Sequence, residues 1–223
     1  MFKSFSQISE QAYLIDYGNT IDIETNNRVI NHFKYLQNLN YKYILNVVPS
    51  FNKLLIQFNP TYKKNILKLL REIKSTKYNF LNTVKKHNIE ICYDEEYALD
   101  FKEIEKNSKL NFDSFIKLHL QTEFHVFMIG FLPGLPFLGK MKINSSIPRR
   151  LSPRLQVPSG SVGIVNNLCV IYPNDSPGGW NIIGKTKKKL FNFNKKNYSS
   201  ISPGDQVQFM KISKNNFSKT EGL

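Results

Sequence analysis

The stretch at residues 128–186, MIGFLPGLPFLGKMKINSSIPRRLSPRLQVPSGSVGIVNNLCVIYPNDSPGGWNIIGKT, most limits what this chain can become. Eight of the chain's 11 glycines and seven of its 10 prolines fall inside it. Glycine admits backbone angles that other residues avoid, and proline fixes φ and removes an amide donor, so no long helix survives that density. What remains between the breakers is a series of short apolar runs, the pattern of strands joined by turns in a barrel or sandwich. The same stretch holds the only tryptophan, Trp180, and three of the five arginines, Arg149, Arg150 and Arg154. Proline-stiffened loops on a β scaffold are a usual place to mount a binding site.

The residues before it follow another grammar. Residues 12–17 and 43–48 are apolar enough for strands, and 53–58 pairs with the latter across Pro49-Ser50-Phe51-Asn52. Residues 24–39 repeat Val29, Ile30, Phe33 and Leu36 at helical spacing, and Pro60-Thr61 opens a second helix with Ile66, Leu69, Leu70 and Ile73 on one face. Residues 89–93 close the set as a strand. The order βαββαβ predicts a ferredoxin-like domain over residues 1–92. Two helices, at 99–106 and 112–121, then lead into β segments at 124–129, 161–165, 168–172, 180–183 and 206–212. These place a β-barrel domain over 93–213, with a frayed tail at 214–223. The fold class expected is α+β.

Charge and cysteine content remove several function classes. The formal net charge is +14 over 223 residues. Nearly all of it is lysine spread through plainly structural segments, which reads as compositional bias and not as a nucleic-acid face. The densest run, Lys185 to Lys189 with Lys195 and Lys196, can touch phosphates but reads first as solvated surface. Two cysteines, Cys92 and Cys169, supply neither a disulfide framework nor metal spacing, and both sit in apolar strands as buried thiols. No metal is expected, and neither a signal peptide nor a membrane span is visible, which favours the cytoplasm.

Pro148-Arg149 and Pro153-Arg154, with Arg150 between, repeat a Pro-Arg pair in a chain that otherwise uses lysine. A guanidinium is a planar fork that grips carboxylate or phosphate with two parallel bonds, so arginine clustered here points to anion recognition. The structural alternative is pairing with Asp94, Asp175 or Asp205. Gly179 to Thr186 spells the phosphate-loop pattern G-x-x-x-x-G-K-[ST], but a turn precedes it and Trp-Asn-Ile-Ile is strand-like, so the pattern is rejected. Ser161 follows Ser159-Gly160 without a nucleophile-elbow frame and reads as a hydrogen-bonding group. His119 reads as a satisfied core imidazole, with proton transfer as its functional alternative.

Several ordered runs resemble one family. Gly130-Phe131-Leu132-Pro133-Gly134-Leu135-Pro136-Phe137-Leu138-Gly139 resembles the GFxPGFPYLG motif of the KipI family, which comprises the B-type subunits of 5-oxoprolinase and is also known as allophanate hydrolase subunit 1. Residues 148–164, PRRLSPRLQVPSGSVGI, are similar to its PRR-x-x-PR-x-x-VPAGSV signature. Ile171-Tyr172-Pro173, Ser176-Pro177-Gly178-Gly179-Trp180 and Ile183-Gly184-Lys185-Thr186 look like its IYP…SPGGW-x-x-IGRT. Leu135, Ser159 and Lys185 depart from the usual residues. The likeness covers nearly the whole chain.

The resemblance implies an N-terminal α/β domain followed by a cyclophilin-like barrel. It also implies a subunit that, with KipA-type and LamB/YcsF-type companions, opens 5-oxoproline to glutamate at the expense of ATP, which this subunit alone is not expected to hold. Sensor histidine kinase inhibition and a urea- or allophanate-processing carboxyltransferase role are the alternatives. On this reading Arg149 and Arg154 contact carboxylate or phosphoryl groups and His119 transfers a proton. Pro133, Gly134, Arg150, Ser161, Gly178, Gly179 and Trp180 are expected around the substrate.

Overall fold

The computed structural model describes residues 2–75, 84–195 and 197–219. The chain divides into two compact units, Met1–Thr83 and Val84–Leu223. The division falls ahead of the strand expected to end the first domain, and that strand is the main difference from the sequence reading.

In the first unit, β1 (Ser4–Ser9), β2 (Ala12–Asp16), β4 (Lys53–Phe58) and β3 (Ile44–Pro49) form an antiparallel sheet in the order β1-β2-β4-β3. Helix α1 (Ile23–Leu39) starts where the Asp22 carboxylate accepts the Thr25 amide and stops where Asn40 turns left-handed at φ 46°. Helix α2 (Lys63–Ser75) buries Ile66, Leu69, Leu70 and Ile73, one stripe at helical spacing. These side chains meet Tyr13, Ile15, Leu54, Ile56 and Phe58 from the sheet in one core. Strand β1 has no apolar alternation because it is a polar edge strand, exposed along most of its length.

The ferredoxin-like arrangement is corrected. Its closing strand, β5 (Lys86–Ile91), pairs in parallel with β13 (Gln206–Lys211) of the second unit, from Gln206 opposite Lys86 to Lys211 opposite Ile91. The alternation of exposed Asn88 and Glu90 with buried Ile89 and Ile91 marks a strand with one core face. That face joins the second unit's core.

The second unit also contains α3 (Phe101–Ser108), α4 (Phe112–Gln121), β6 (Glu123–Ile129), β7 (Pro136–Gly139) and β8 (Arg154–Val157). After them come β9 (Ser161–Val165), β10 (Leu168–Ile171), β11 (Ser176–Gly178), β12 (Asn181–Lys185) and α5 (Lys214–Lys219). Seven strands make a curled sheet in the order β12-β9-β10-β7-β6-β13-β5, while β8 and β11 form a separate ribbon. The edges of the curled sheet meet just beyond β5. There the Cys92 amide donates to the Lys185 carbonyl at 2.9 Å, and the Lys185 amide returns the bond at 3.0 Å. A Cβ on Gly184 would lie 2.6 Å from the Cys92 carbonyl oxygen, so closure there needs glycine.

Side chains alternate faces along a strand. In β10 this sends Cys169 and Ile171 into the large core and Val170 to the opposite face. That opposite face collects Leu135, Val157, Val170, Tyr172, Trp180 and Ile182 in a second, smaller cluster. The tail expected to fray is helical over α5, and its Phe217 is buried. No helix among the described residues is long and apolar enough to cross a membrane.

Candidate functional site

The loop at residues 148–154 decides where the arginines go. Its backbone is tied to the sheet, since Asn181 donates through Nδ2 to the Pro148 carbonyl at 2.8 Å and the Arg150 amide donates to the Gly179 carbonyl at 2.9 Å. From that anchored loop, Arg150 and Arg154 both turn to Asp100, whose side chain is only 2 % exposed. Arg154 grips the carboxylate with both Nη atoms, at 2.8 and 2.9 Å, and Arg150 adds a third bond. The Ile182 amide donates to the same carboxylate at 2.7 Å, pinning the start of α3 to β12. A buried carboxylate is stable only when its charge and lone pairs are met, and here they are.

Arg149 is turned the other way. Its guanidinium lies 5.7 Å from the centroid of the Trp180 ring, in cation–π range. Beside it is a cavity of about 90 Å³ lined by Phe131, Leu135, Phe137, Arg149, Val170, Tyr172, Gly178, Gly179 and Trp180. Gly178 is required there, because a Cβ would fall 2.3 Å from the Tyr172 hydroxyl. Burial pushes the Tyr172 phenol above its ordinary range, partly offset by a hydrogen bond at the Trp180 backbone and by the Arg149 and Arg154 charges. At the rim, Phe131 is 74 % exposed and holds φ at +71°, a left-handed conformation unusual for a bulky side chain. Such geometry occurs where surrounding structure enforces it, and often at functional sites. The cavity offers one cation, an apolar floor and an aromatic wall.

The structure therefore brings together Arg149, Gly178, Gly179 and Trp180 of the residues expected from sequence. Arg150 is adjacent through its backbone, but its side chain and that of Arg154 serve Asp100; the direct anion contact expected of Arg154 is corrected for that reason. Neither arginine pairs with Asp94, Asp175 or Asp205. Asp175 holds the Ser159 amide and Gln156 instead, and Asp205 holds His87 and the Ser202 amide. Pro133 and Gly134 shape the turn before β7; a Cβ on Gly134 would meet Phe191 at 2.7 Å. Ser161 is buried at the start of β9 and does not line the cavity.

His119 is corrected too. It is fully buried, with Nδ1 2.8 Å from the Tyr93 hydroxyl and Nε2 3.7 Å from the Cys169 sulfur. Phe124 and Phe209 flank the ring, and burial lowers its pKa to about 3. A neutral imidazole sealed in the core cannot pass a proton to a ligand in the Arg149 cavity. Cys92 and Cys169 are buried thiols whose pKa values burial raises, as their strand positions implied. The phosphate-loop pattern is strand β12 and not a loop leading to a helix. Among the described residues no group of three His, Cys, Asp or Glu side chains could hold a metal.

Sequence reasoning missed Asp100, Phe131, Phe137, Val170 and Tyr172. For Tyr172 a signal existed, since it lies two residues after Val170 and period two puts both on one face. For Asp100, next to exposed Leu99, none did.

The model of the carboxyltransferase domain, subdomain C and D, matches residues 3–201. This chain belongs to that family. Among curated members of the carboxyltransferase-domain family, it is 30 % identical to the B-type subunit of 5-oxoprolinase from Bacillus subtilis (strain 168), over 95 % of this chain and 93 % of the relative. It is 33 % identical to the corresponding 5-oxoprolinase subunit of Haemophilus influenzae, over 74 % of this chain and 76 % of that one. The crystal structure of TTHA0988 superposes with a TM-score of 0.80 at 25 % identity over 91 % of this chain. This carboxyltransferase-domain chain spans only 40 % of TTHA0988.

Proposed function

We propose that this chain is one subunit of a cytoplasmic, ATP-dependent 5-oxoprolinase that opens 5-oxo-L-proline to L-glutamate and is inactive without its companions. The observation that carries the reading is similarity at 30 % identity along nearly the full length of both this chain and a B-type 5-oxoprolinase subunit. Companions of the KipA type and the LamB/YcsF type complete the assembly. A cyclophilin-like closed barrel is the reading of the second unit, supported by the Cys92–Lys185 bridge between its sheet edges.

The Arg149 cavity fits a share in this chemistry. The substrate is a five-membered lactam bearing a carboxylate. Its methylenes suit an apolar floor of Leu135, Phe137 and Val170, and its carboxylate suits the Arg149 fork. A lactam carbonyl is a poor electrophile. Phosphorylating its oxygen with ATP makes the carbon open to water; the ring C–N bond then breaks, leaving glutamate, ADP and phosphate. Arg149 would hold the substrate by its carboxylate through that sequence, while the Asp100 cluster keeps the loop fixed.

The test is reconstitution with the two companion subunits, measuring glutamate formed from 5-oxoproline with and without ATP. Omitting this chain should bring turnover to background. Full turnover in its absence refutes the proposal.

A further inference from the structure

A second concave region, sharing no lining residue with the Arg149 cavity, lies where the chain leaves β12. Thr186 anchors the exit. Its amide donates to the Gly160 carbonyl at 2.9 Å, and its hydroxyl accepts the Lys188 amide at 3.1 Å. Gly160, at φ +81°, permits this approach, since a Cβ would lie 2.1 Å from the Thr186 carbonyl oxygen. Around that buried anchor, Lys185, Lys187, Lys188 and Lys189 all line one cleft of about 540 Å³. No carboxylate lines it.

The four ammonium groups are not equally committed. Lys187 donates to the Phe217 carbonyl and sits 4.6 Å over that ring. Lys185 helps hold the Asp175 carboxylate below its ordinary range, although the amides of Ser159 and Gln156 contribute more. Lys188 and Lys189 are exposed and make no ion pair with a described residue. So many like charges facing one cleft repel each other, and a multiply charged anion removes that repulsion. Two half-buried aromatic rings, Tyr97 and Phe191, share the lining and present flat apolar surface. Lysine serves as a point charge for phosphate, and an aromatic ring stacks on a base. The volume lies within the roughly 300–1,000 Å³ range of small-molecule sites.

We propose that this cleft binds a nucleoside di- or triphosphate, with the phosphates on Lys185, Lys188 and Lys189 and the base against Phe191 or Tyr97. This replaces the sequence expectations that the lysine run is plain solvated surface and that ATP is not held by this subunit alone. Taken with the 5-oxoprolinase reading, the cleft is the seat of the phosphate donor. Binding to the isolated chain does not depend on that reading, so the two fail separately.

The test is calorimetric titration of the full chain with ATP at 50 and 200 mM salt. Saturable one-to-one binding is expected, weakening at least severalfold at the higher salt as screening grows. Inorganic triphosphate should displace ATP and adenosine should not. The double substitution Lys188→Glu with Lys189→Glu should weaken ATP binding at least tenfold; Lys188→Ala with Lys189→Ala should weaken it less, and Lys117→Glu on α4 should leave it within twofold. Unfolding midpoints confirm that each variant is folded. Absence of saturable ATP binding at 50 mM salt, or unchanged affinity in both double variants, overturns the proposal. So does a single-stranded oligonucleotide that binds where triphosphate cannot compete.

Discussion

The buried polar framework of the second unit and the cavity beside Arg149 use similar residues to opposite ends. In the framework, Arg150 and Arg154 close on Asp100, and His119 closes on Tyr93 and Cys169. Every strong polar interaction there is internal. In the cavity, Arg149 faces an aromatic ring and open space, and the exposed Phe131 stands at the rim. The difference teaches that the residue type marks where geometry matters, while the partner decides whether the geometry serves the fold or a ligand. Two arginines of one short loop hold it rigid so that the third can project.

Removing Arg154 should break that contrast most visibly. Breaking a buried pair by deleting one partner leaves an uncompensated charge, at a cost of about 3–5 kcal/mol. Asp100 is buried enough for the rule to apply, with Arg150 left as a partial partner. Arg154→Ala should therefore destabilise the second unit by about that amount, read by denaturant unfolding with the sole tryptophan, Trp180, as reporter. A loss under about 0.5 kcal/mol, the usual scatter of a surface change, would mean that the loop is held by other means.

Arg149→Ala sharpens the comparison from the other side. Its stability should stay within about 0.5 kcal/mol of the parent. Turnover of 5-oxoproline in the reconstituted complex should fall about ten- to hundredfold, the worth of about 1.5–3 kcal/mol for a charge-assisted bond to substrate. Unchanged turnover with intact assembly removes Arg149 from the site.

How much of this was legible follows from the range of each interaction. Gly178, Gly179, Trp180 and Arg149 stood out because a turn, a close approach and a rigid fork require those residue types locally. Asp100 did not, since its meaning depends on partners some fifty residues away in sequence. His119 looked equally apt for core or catalysis until β10 placed Cys169 beside it. In the fold, the alternation in β5 announced a strand but not its neighbour. Pairing with β13, more than a hundred residues later, is a property of the closed sheet, and local pattern carries no trace of it. The polar edge strand β1 carried no periodic signal at all.

Gly178 tests how tightly the cavity wall is fitted. A methyl at that position would press on the Tyr172 hydroxyl and ring. Gly178→Ala should destabilise by about 1–3 kcal/mol, the range for overpacking, and adding Tyr172→Phe should recover part of that loss by removing the nearest atom. Additive effects in the double variant would show that the two side chains do not meet.

The smallest effect separates His119 from any surface role through its pH dependence. Burial holds its native pKa near 3, against 6.5 for an unhindered imidazole. Above pH 6.5 the ring is neutral in both folded and unfolded chains and contributes no pH dependence. As pH falls below 6.5 the unfolded chain binds a proton that the native chain refuses, so stability is lost progressively until the native pKa is reached. One such group gives a slope of about 1.4 kcal/mol per pH unit over that window. His32 and His125, lowered to about 4, add slopes of the same sign, so the measurement must be a difference between variants. Between pH 5.5 and 4.5 the parent should lose about 1.4 kcal/mol more than His119→Leu, whatever the absolute stability of that variant. Equal losses would mean that the imidazole reaches solvent and titrates normally, placing His119 on the ligand side of the comparison and not in the framework.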